Sequence, residues 1–263
     1  MKRLALLLCS LGLLSLMSCG GGMQSPPVTI SPFIPLNGNF SFTGTSQAFS
    51  PNTIFIGGPL QTDSNGHISG TLGVSNSVSN CITAGTTAAF TGNVDAMNVV
   101  SLTSAPINGQ VVSFSTTARP NGTFAAGTYS VAGGCLTGDH GSLQAQHLLT
   151  GAYSGSVLIN GNPINVSMNF GAPGTPDTAG NFSLQAGATF TNTAACGGFT
   201  SLATEGGSQN ALTVSFKLGA GANPVLSFSG TTIDGTANML SGTLGITGGP
   251  CDQLKGTLNL SKS

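Results

Sequence analysis

The side chains that could support acid–base chemistry are few in this sequence. Asp139 and His140 are adjacent, and His147 follows seven residues later. A carboxylate beside an imidazole can orient a general base, but a hydrolase also needs a nucleophile on that base and a site for the oxyanion. The chain contains no Gly-x-Ser-x-Gly sequence. We therefore interpret the pair as part of a polar hairpin and expect no enzyme activity, with a hydrolase as the alternative.

Aspartates that lie near glycines look like fragments of a calcium loop. The stretch Asp63-Ser-Asn-Gly66-His67 begins like one, but the later ligands and the closing bidentate Glu are missing. Asp177 and Asp234 occupy similar turns, and an Asp side chain commonly stabilises a turn by accepting hydrogen bonds from nearby backbone. No phosphate-binding Gly-Lys-Ser/Thr sequence occurs. We expect no metal and no cofactor, and we interpret these aspartates as turn formers.

The low charge of the chain excludes one broad class of function. Only 5% of the residues are charged, whereas about 25% is usual. Without the first 18 residues, four basic residues stand against seven acidic ones. Nucleic-acid binding through phosphate neutralisation needs clustered Lys and Arg, and no such cluster exists. The mean hydropathy of +0.26 also argues against disorder, because disordered chains combine low hydrophobicity with high charge.

The sequence contains an internal duplication. The stretch Gly127-Thr-Tyr-Ser-Val-Ala-Gly-Gly-Cys135 aligns with Gly242-Thr-Leu-Gly-Ile-Thr-Gly-Gly-Pro-Cys251. Upstream, Gly66-His-Ile-Ser69 aligns with Gly180-Asn-Phe-Ser183. We infer two copies of one unit behind a proline-containing tether, which predicts four segments: a signal peptide over 1–18, a tether over 19–35, and repeats over 36–148 and 149–263.

Four cysteines of the repeats are expected to form two disulfides. Cys81 and Cys135 are 54 residues apart, and Cys196 and Cys251 are 55 residues apart. Three pairings are open in principle, and the duplication favours Cys81–Cys135 and Cys196–Cys251. A metal site or a redox pair is the alternative, although no C-x-x-C sequence is present. Such bonds fit an exported protein.

The apolar pattern predicts an all-β body. Apolar and polar residues alternate repeatedly, as in Val112-Ser-Phe-Ser115 and Leu226-Ser-Phe-Ser229, and turn sequences such as Asn160-Gly161 separate the stretches. We predict about eight strands in the first copy, near 38–45, 52–60, 67–75, 87–94, 97–104, 109–117, 123–131 and 141–147. In the second copy we predict strands near 151–159, 163–170, 181–190, 211–218, 224–232, 239–247 and 254–261. Hairpin-sized links indicate an antiparallel meander in each copy, which forms a small barrel or, as second choice, a sandwich.

In strand number and order, each copy resembles the up-and-down barrels of lipocalins and avidins. Gly38-Asn-Phe40 and Gly151-Ala-Tyr153 take the place of the Gly-x-Trp-like motif with which those families begin, and the chain has no Trp. The resemblance implies a barrel for each copy and no particular ligand.

The first nineteen residues have the features of an export signal. Lys2 and Arg3 precede an apolar stretch shorter than the roughly 20 residues of a membrane-spanning helix. Leu16-Met17-Ser18-Cys19 then resembles the lipobox of bacterial lipoproteins, although Met17 differs from the usual residue at its place. The resemblance implies that Cys19 receives a diacylglyceryl group and becomes the acylated N-terminus. An unlipidated secretory signal and an uncleaved apolar helix are the alternatives.

The predicted anchor and body lead to two functional expectations. Gly20 is not the Asp that retains lipoproteins in the inner membrane of enteric bacteria, so we expect attachment to the outer membrane of a bacterial envelope. The favoured function is a non-catalytic binding module, in which each barrel or sandwich holds a small apolar ligand in an interior lined by Phe residues or presents its loops to an envelope protein. In the alternative interpretation the same Phe residues pack the core. The alternative is a structural or surface-interaction lipoprotein, which acts as a spacer or an adhesive face.

Overall fold

The computed structural model describes residues 33–77, 81–219, 223–233 and 235–263. The predicted signal peptide, Cys19, most of the predicted tether and Asp234 lie outside the described residues. In the described part, β-strands and two single-turn 3₁₀ helices, Gly134–Leu136 and Ala194–Cys196, make up the regular structure. No helix of this part is long and apolar enough to cross a membrane.

The first copy forms a closed antiparallel barrel, called barrel 1. Its strands are β1 (Gly38–Ser46), β2 (Thr53–Thr62), β3 (His67–Asn76), β4 (Thr86–Val94), β5 (Val99–Ser104), β6 (Val111–Thr117), β7 (Gly127–Ala132) and β8 (His140–His147). Each strand pairs with the next one along the chain, and β8 returns to pair with β1, where Phe40 lies opposite His147.

The second copy, barrel 2, closes in the same way with one strand interrupted. Its strands are β9 (Gly151–Ile159), β10 (Asn162–Phe170), β11 (Phe182–Ser183), β12 (Ala186–Thr191), β13 (Ser201–Asn210), β14 (Thr213–Leu218), β15 (Val225–Thr232), β16 (Met239–Thr247) and β17 (Lys255–Lys262). Both β11 and β12 pair with β13, so together they occupy one strand position. Pairing of β17 with β9 and of β13 with β14 completes the barrel. The predicted all-β class and tandem eight-stranded barrels are confirmed, and the sandwich alternative is wrong.

Two elements of barrel 2 differ from the predicted strands. The predicted strand 181–190 is divided into β11 and β12, and β13 was not predicted at all. The sequence of β13, Ser-Leu-Ala-Thr-Glu-Gly-Gly-Ser-Gln-Asn, has little alternation, and its register with β14 shifts between Thr204 and Gly206. Such a bulge breaks the period of two on which the sequence prediction depends.

Each barrel is filled by its own side chains. The pattern of alternating inward and outward residues buries Phe42, Leu72 and Phe90 in barrel 1 and Val157, Val214 and Leu258 in barrel 2, all at 1% exposure or less. Inward-facing Phe rings also pack on one another, as Phe216 does on Phe228 at 4.7 Å between centroids. An eight-stranded barrel is just wide enough for side chains to fill it, and this is what both copies do.

The two barrels are docked against each other through glycines of barrel 1. A Cβ atom on Gly73 would lie 2.7 Å from Pro176 Cδ, in the loop that follows β10. The neighbouring Gly57, which is paired with Gly73, leaves similar room for the ring of Phe182. The hydroxyl of Ser75 donates a hydrogen bond to the carbonyl of Asp177 at 2.5 Å. Because only residues without a side chain allow this close approach, the glycine pair determines where the loop docks.

Candidate functional site

Asp139, His140 and His147 do not form a common site. Asp139 is completely buried, whereas the adjacent His140 is exposed and its Nδ1 lies 2.9 Å from the carbonyl oxygen of Gly138. Successive residues of a strand point to opposite faces, which separates the two side chains. His147 is at the other end of β8, where its Nε2 lies 3.0 Å from the carbonyl oxygen of Gly122. This is not the geometry of a catalytic dyad.

The carboxylate of Asp139 is instead the centre of a buried polar cluster. Ser46 Oγ donates to Asp139 Oδ1 at 2.5 Å, and Tyr129 OH donates to the same oxygen at 3.2 Å. Asn52 Nδ2 donates to Asp139 Oδ2 at 3.0 Å. Burial, reinforced by the nearby carboxylate, raises the pKa of Tyr129, so its hydroxyl stays protonated and acts as a donor. Since Asp139 is fully covered, the cluster has a structural role within barrel 1.

The predicted turn aspartates have the expected geometry. Asp63 Oδ1 accepts hydrogen bonds from the backbone N–H groups of Asn65 and His67, and Asp177 Oδ1 accepts from those of Ala179 and Asn181. The pKa of Asp63 is lowered, chiefly by the hydrogen bond from the backbone of His67.

The pKa of Asp177 is also lowered, because hydrogen bonds from Asn181 and its neighbours outweigh partial burial, which acts to raise it. Asp95 Oδ1 also accepts hydrogen bonds from the backbone N–H groups of Met97 and Val99, although Asp95 was not among the predicted turn formers. No group of three potential metal ligands occurs among the described residues.

Both predicted disulfides are present. Cys81 is bonded to Cys135 with a Cα–Cα distance of 5.9 Å, and Cys196 to Cys251 with 4.9 Å. Each bond joins the loop after the third strand position of its barrel to the last hairpin. The bond in barrel 2 is buried, with its cysteines 2% and 5% exposed, whereas Cys135 is exposed. The four thiols are therefore occupied in structural crosslinks.

The candidate functional site is the cleft between the barrels, which we call the inter-barrel cleft. It has a volume of about 510 Å³ and is formed by the β6–β7 loop, the second half of β8, the β13–β14 turn and Gly235. Its apolar lining comes from Phe124, Ala125, Ala126, Ala145, Ala211 and Leu212. The polar lining is uncharged and comes from Thr123, Gln144, Gln146 and Thr213. Ligand sites often occur between domains, and this volume lies within their usual range of about 300–1,000 Å³.

Gln209 holds the two walls of the inter-barrel cleft together. Its side chain is completely buried, and its Oε1 accepts a hydrogen bond from the backbone N–H of Leu149 at 2.9 Å. Its Nε2 lies 3.3 Å from the carbonyl oxygens of both His147 and Ala211. The backbone N–H of His147 also donates to the carbonyl of Gly235 at 2.9 Å. Gln209 lies in the unpredicted strand β13, so no signal in the sequence analysis could have assigned it this position.

An aromatic group packs behind the wall of the cleft. The ring of Phe124 lies edge-on to Phe40 at 5.8 Å and 6.0 Å from the ring of His147. Burial lowers the pKa of His147, which favours the neutral imidazole at neutral pH. On the far side of Phe124 is a small cavity of about 90 Å³ beside Ile34 and Leu36. The cleft is thus uncharged, with both apolar and neutral polar groups in its lining, and packed aromatic rings lie behind its wall.

Comparison with known proteins gives no likeness that bears on the fold or the function of this chain. No protein-family model and no curated protein matches the chain. Among solved structures, a protein of unknown function from the DUF3598 family of Nostoc punctiforme is 11% identical, with 86% of this chain and 96% of that chain covered and a TM-score of 0.25. An AttH-like protein from Nitrosomonas europaea is 9% identical, with coverages of 85% and 91% and a TM-score of 0.24. At these scores the likenesses support no statement about fold or function.

Proposed function

We propose that this protein is a lipid-anchored, non-catalytic binding module of the bacterial cell envelope. The lipid is attached to Cys19, and the outer membrane is the favoured location. The module binds a small, uncharged and mainly apolar ligand, or an apolar segment of an envelope protein, in the inter-barrel cleft.

The contrast between the filled barrels and the open cleft carries this proposal. A ligand inside either barrel would have to displace fully buried side chains such as Phe42 or Val214. Emptying a packed core costs several kcal/mol per large side chain, roughly 3–5 for a Phe. The inter-barrel cleft offers apolar surface without that cost, and Leu212 on its wall is 39% exposed. A ligand that covers this surface gains the hydrophobic contribution of both partners.

A cleft-filling variant tests the site. Ala126 is exposed and lines the cleft, so Ala126→Tyr fills it without entering a core. Ala152 is also exposed but lies on β9 away from the cleft, and Ala152→Tyr is the matched control. We expect the neutral fluorescent probe N-phenyl-1-naphthylamine to bind the mature protein saturably. Binding should weaken at least about tenfold in Ala126→Tyr and persist in Ala152→Tyr. Equal binding by both variants would show that the cleft is not the site.

Metabolic labelling tests the anchor separately. Radiolabelled palmitate should enter the wild-type chain and be absent from Cys19→Ser. Label that persists in Cys19→Ser would remove the lipid anchor from the proposal and leave the cleft untouched.

A structural role as a spacer is a second candidate, favoured by the docking of the barrels. The contacts of Pro176 and Phe182 with the glycine pair, together with Gln209, join the two barrels into one body. Gly73→Val would place a side chain against Pro176 and separate this contact. If the protein is a spacer, this variant should impair envelope integrity, whereas Ala126→Tyr, which blocks the inter-barrel cleft and leaves the Gly73 contact intact, should not.

A further inference from the structure

The outer surface of both barrels carries ordered rows of uncharged hydrogen-bonding side chains. Residues that are paired across neighbouring strands form these rows, because every second residue of a strand points outward. One row crosses seven strands of barrel 2 without a charged member: Thr213, Thr231, Ser241, Asn259, Ser156, Asn165 and Thr191. Several neighbours are hydrogen-bonded, such as Ser241 Oγ to Asn259 Oδ1 at 2.6 Å and Asn165 Nδ2 to Thr191 Oγ1 at 3.3 Å.

One part of this surface is concave. A depression of about 620 Å³ lies over β13, β14 and β15, and a second one of about 360 Å³ lies beside the loop that contains Asp177. Gly207 and Ser208 line both depressions, so they form one continuous groove, which we call the β13–β15 groove. It is separate from the inter-barrel cleft, with which it shares no lining residue.

The groove exists because β13 has a bulge and an outward-facing glycine at this place. The register with β14 shifts between Thr204 and Gly206, and Gly206 has no side chain to fill the space above the sheet. A Cβ atom on Gly206 would meet no atom within 4 Å, so the position opens directly into the groove. The bulge and the glycine, which break the alternation expected of a strand in β13, thus also create the concave surface.

The lining of the groove combines hydroxyl and amide groups with a floor that carries no side chain at Gly206. Its neutral polar groups are Ser183, Ser208, Ser215, Ser227 and Asn181, whereas the rings of the lining residues Phe216 and Phe228 point into the barrel core and are 3% exposed. A hydroxyl donates one hydrogen bond and accepts two, which matches another hydroxyl better than it matches an ion. The charged members Glu205 and Lys217 have opposite signs, and Asp177 uses its carboxylate to stabilise its own turn.

Two other ligand classes fit this lining poorly. An extended peptide would bind by adding a strand to a free sheet edge, but β13, β14 and β15 are each paired on both sides in the closed barrel. A phosphorylated or polyanionic ligand would need clustered cations, and Lys217 is the one cation of the groove lining. A molecule with many hydroxyls and apolar C–H faces matches both the polar side chains and the floor of the groove.

We infer that the β13–β15 groove binds a neutral oligosaccharide chain. The serine hydroxyls hydrogen-bond the sugar hydroxyls, and the C–H faces of the sugar rings lie over Gly206. This site is independent of the proposed inter-barrel cleft and of the lipid on Cys19.

A blocked groove with a matched control tests this inference. Gly206→Tyr fills the groove, and Gly187→Tyr is the control, because Gly187 is also exposed on a strand of barrel 2 and its Cβ would meet no atom within 4 Å. Titration calorimetry of the mature protein would use hexasaccharides of glucose, N-acetylglucosamine and mannose. We expect at least one to bind saturably, with Kd raised at least about tenfold in Gly206→Tyr and unchanged in Gly187→Tyr and in Ala126→Tyr.

Salt dependence and three negative outcomes complete the test. Because the contacts are uncharged, Kd should change less than about twofold between low and high salt. Binding of none of the three hexasaccharides, equal loss in Gly206→Tyr and Gly187→Tyr, or binding abolished by salt would each overturn the inference. If Ala126→Tyr alone loses hexasaccharide binding, the sugar site is the inter-barrel cleft instead.

Discussion

The last hairpins of the two barrels have the same backbone but opposite chemistry inside. In barrel 1 the N–H of Val131 donates to the carbonyl of Asp139, and in barrel 2 the N–H of Ile246 donates to the carbonyl of Leu254. Asp139 and Leu254 therefore occupy equivalent positions. By the same alignment Ile159 replaces Ser46 and Leu244 replaces Tyr129. A buried polar cluster in one copy is an apolar cluster in the other.

This difference shows that the barrel fold does not depend on the polar cluster. Leu244 and Ile159 are each 1% exposed, and they complete the core of barrel 2 without a hydrogen bond. The carboxylate of Asp139 adds little net stability, because burying a charge costs about as much as its hydrogen bonds return. With Asp139 present, however, Ser46, Asn52 and Tyr129 depend on its carboxylate as their hydrogen-bond acceptor.

The disulfide bonds should make the largest contribution to the free energy of unfolding that both barrels share. Cys81→Ala with Cys135→Ala, and separately Cys196→Ala with Cys251→Ala, should each lower the free energy of unfolding by about 4 kcal/mol, because the closed loops are equally long. Calorimetry of the two double variants measures this. Mild reduction followed by peptide mapping should open the exposed Cys81–Cys135 bond first, and simultaneous opening would contradict the difference in burial.

Removal of the acceptor at the centre of the buried polar cluster should have the next largest effect on the free energy of unfolding. Asp139→Leu leaves the hydroxyls of Ser46 and Tyr129 and the amide of Asn52 without their acceptor, and should cost about 3 kcal/mol. Chemical denaturation measures the loss. The triple variant Asp139→Leu, Ser46→Ile, Tyr129→Leu copies barrel 2 and should recover most of it.

The reverse change in barrel 2 is the control for that prediction. Leu254 is half-buried against the core of barrel 2, so Leu254→Asp places a carboxylate against apolar neighbours and should destabilise by about 2 kcal/mol. A triple variant no more stable than Asp139→Leu would mean that the two hairpins are not interchangeable.

A smaller effect of pH should distinguish the final strands of the barrels. His147 ends β8, and Lys262 has the equivalent place in β17. Because burial lowers the pKa of His147 in the folded state, its contribution to stability is complete above the unfolded pKa of about 6.5 and is lost as pH falls toward the folded value. Hydrogen exchange of each barrel between pH 7.5 and pH 5.5 should show weakening in barrel 1. His147→Gln should abolish it, and a persistent effect would assign it to another group.

The strands that sequence analysis placed correctly are those with simple alternation. The stretch Leu226-Ser-Phe-Ser229 forms part of β15 as predicted, because the pleat of a half-buried strand imposes a period of two on the sequence. The strand β13 was missed because its bulge and glycines break that period. Asp95 accepts hydrogen bonds from residues two and four positions later, as Asp63 and Asp177 do, but it was not predicted because no glycine follows it closely.

The amino-acid sequence by itself determined the β class, the duplication and the cysteine pairing, because alternation and spacing are properties of the chain alone. Only the tertiary structure decided that the barrel interiors are full and that the concave surfaces lie outside them. The reason is that a cleft depends on which surfaces meet. Gln209 of barrel 2 and His147 of barrel 1 are 62 residues apart, and no local pattern encodes such a contact.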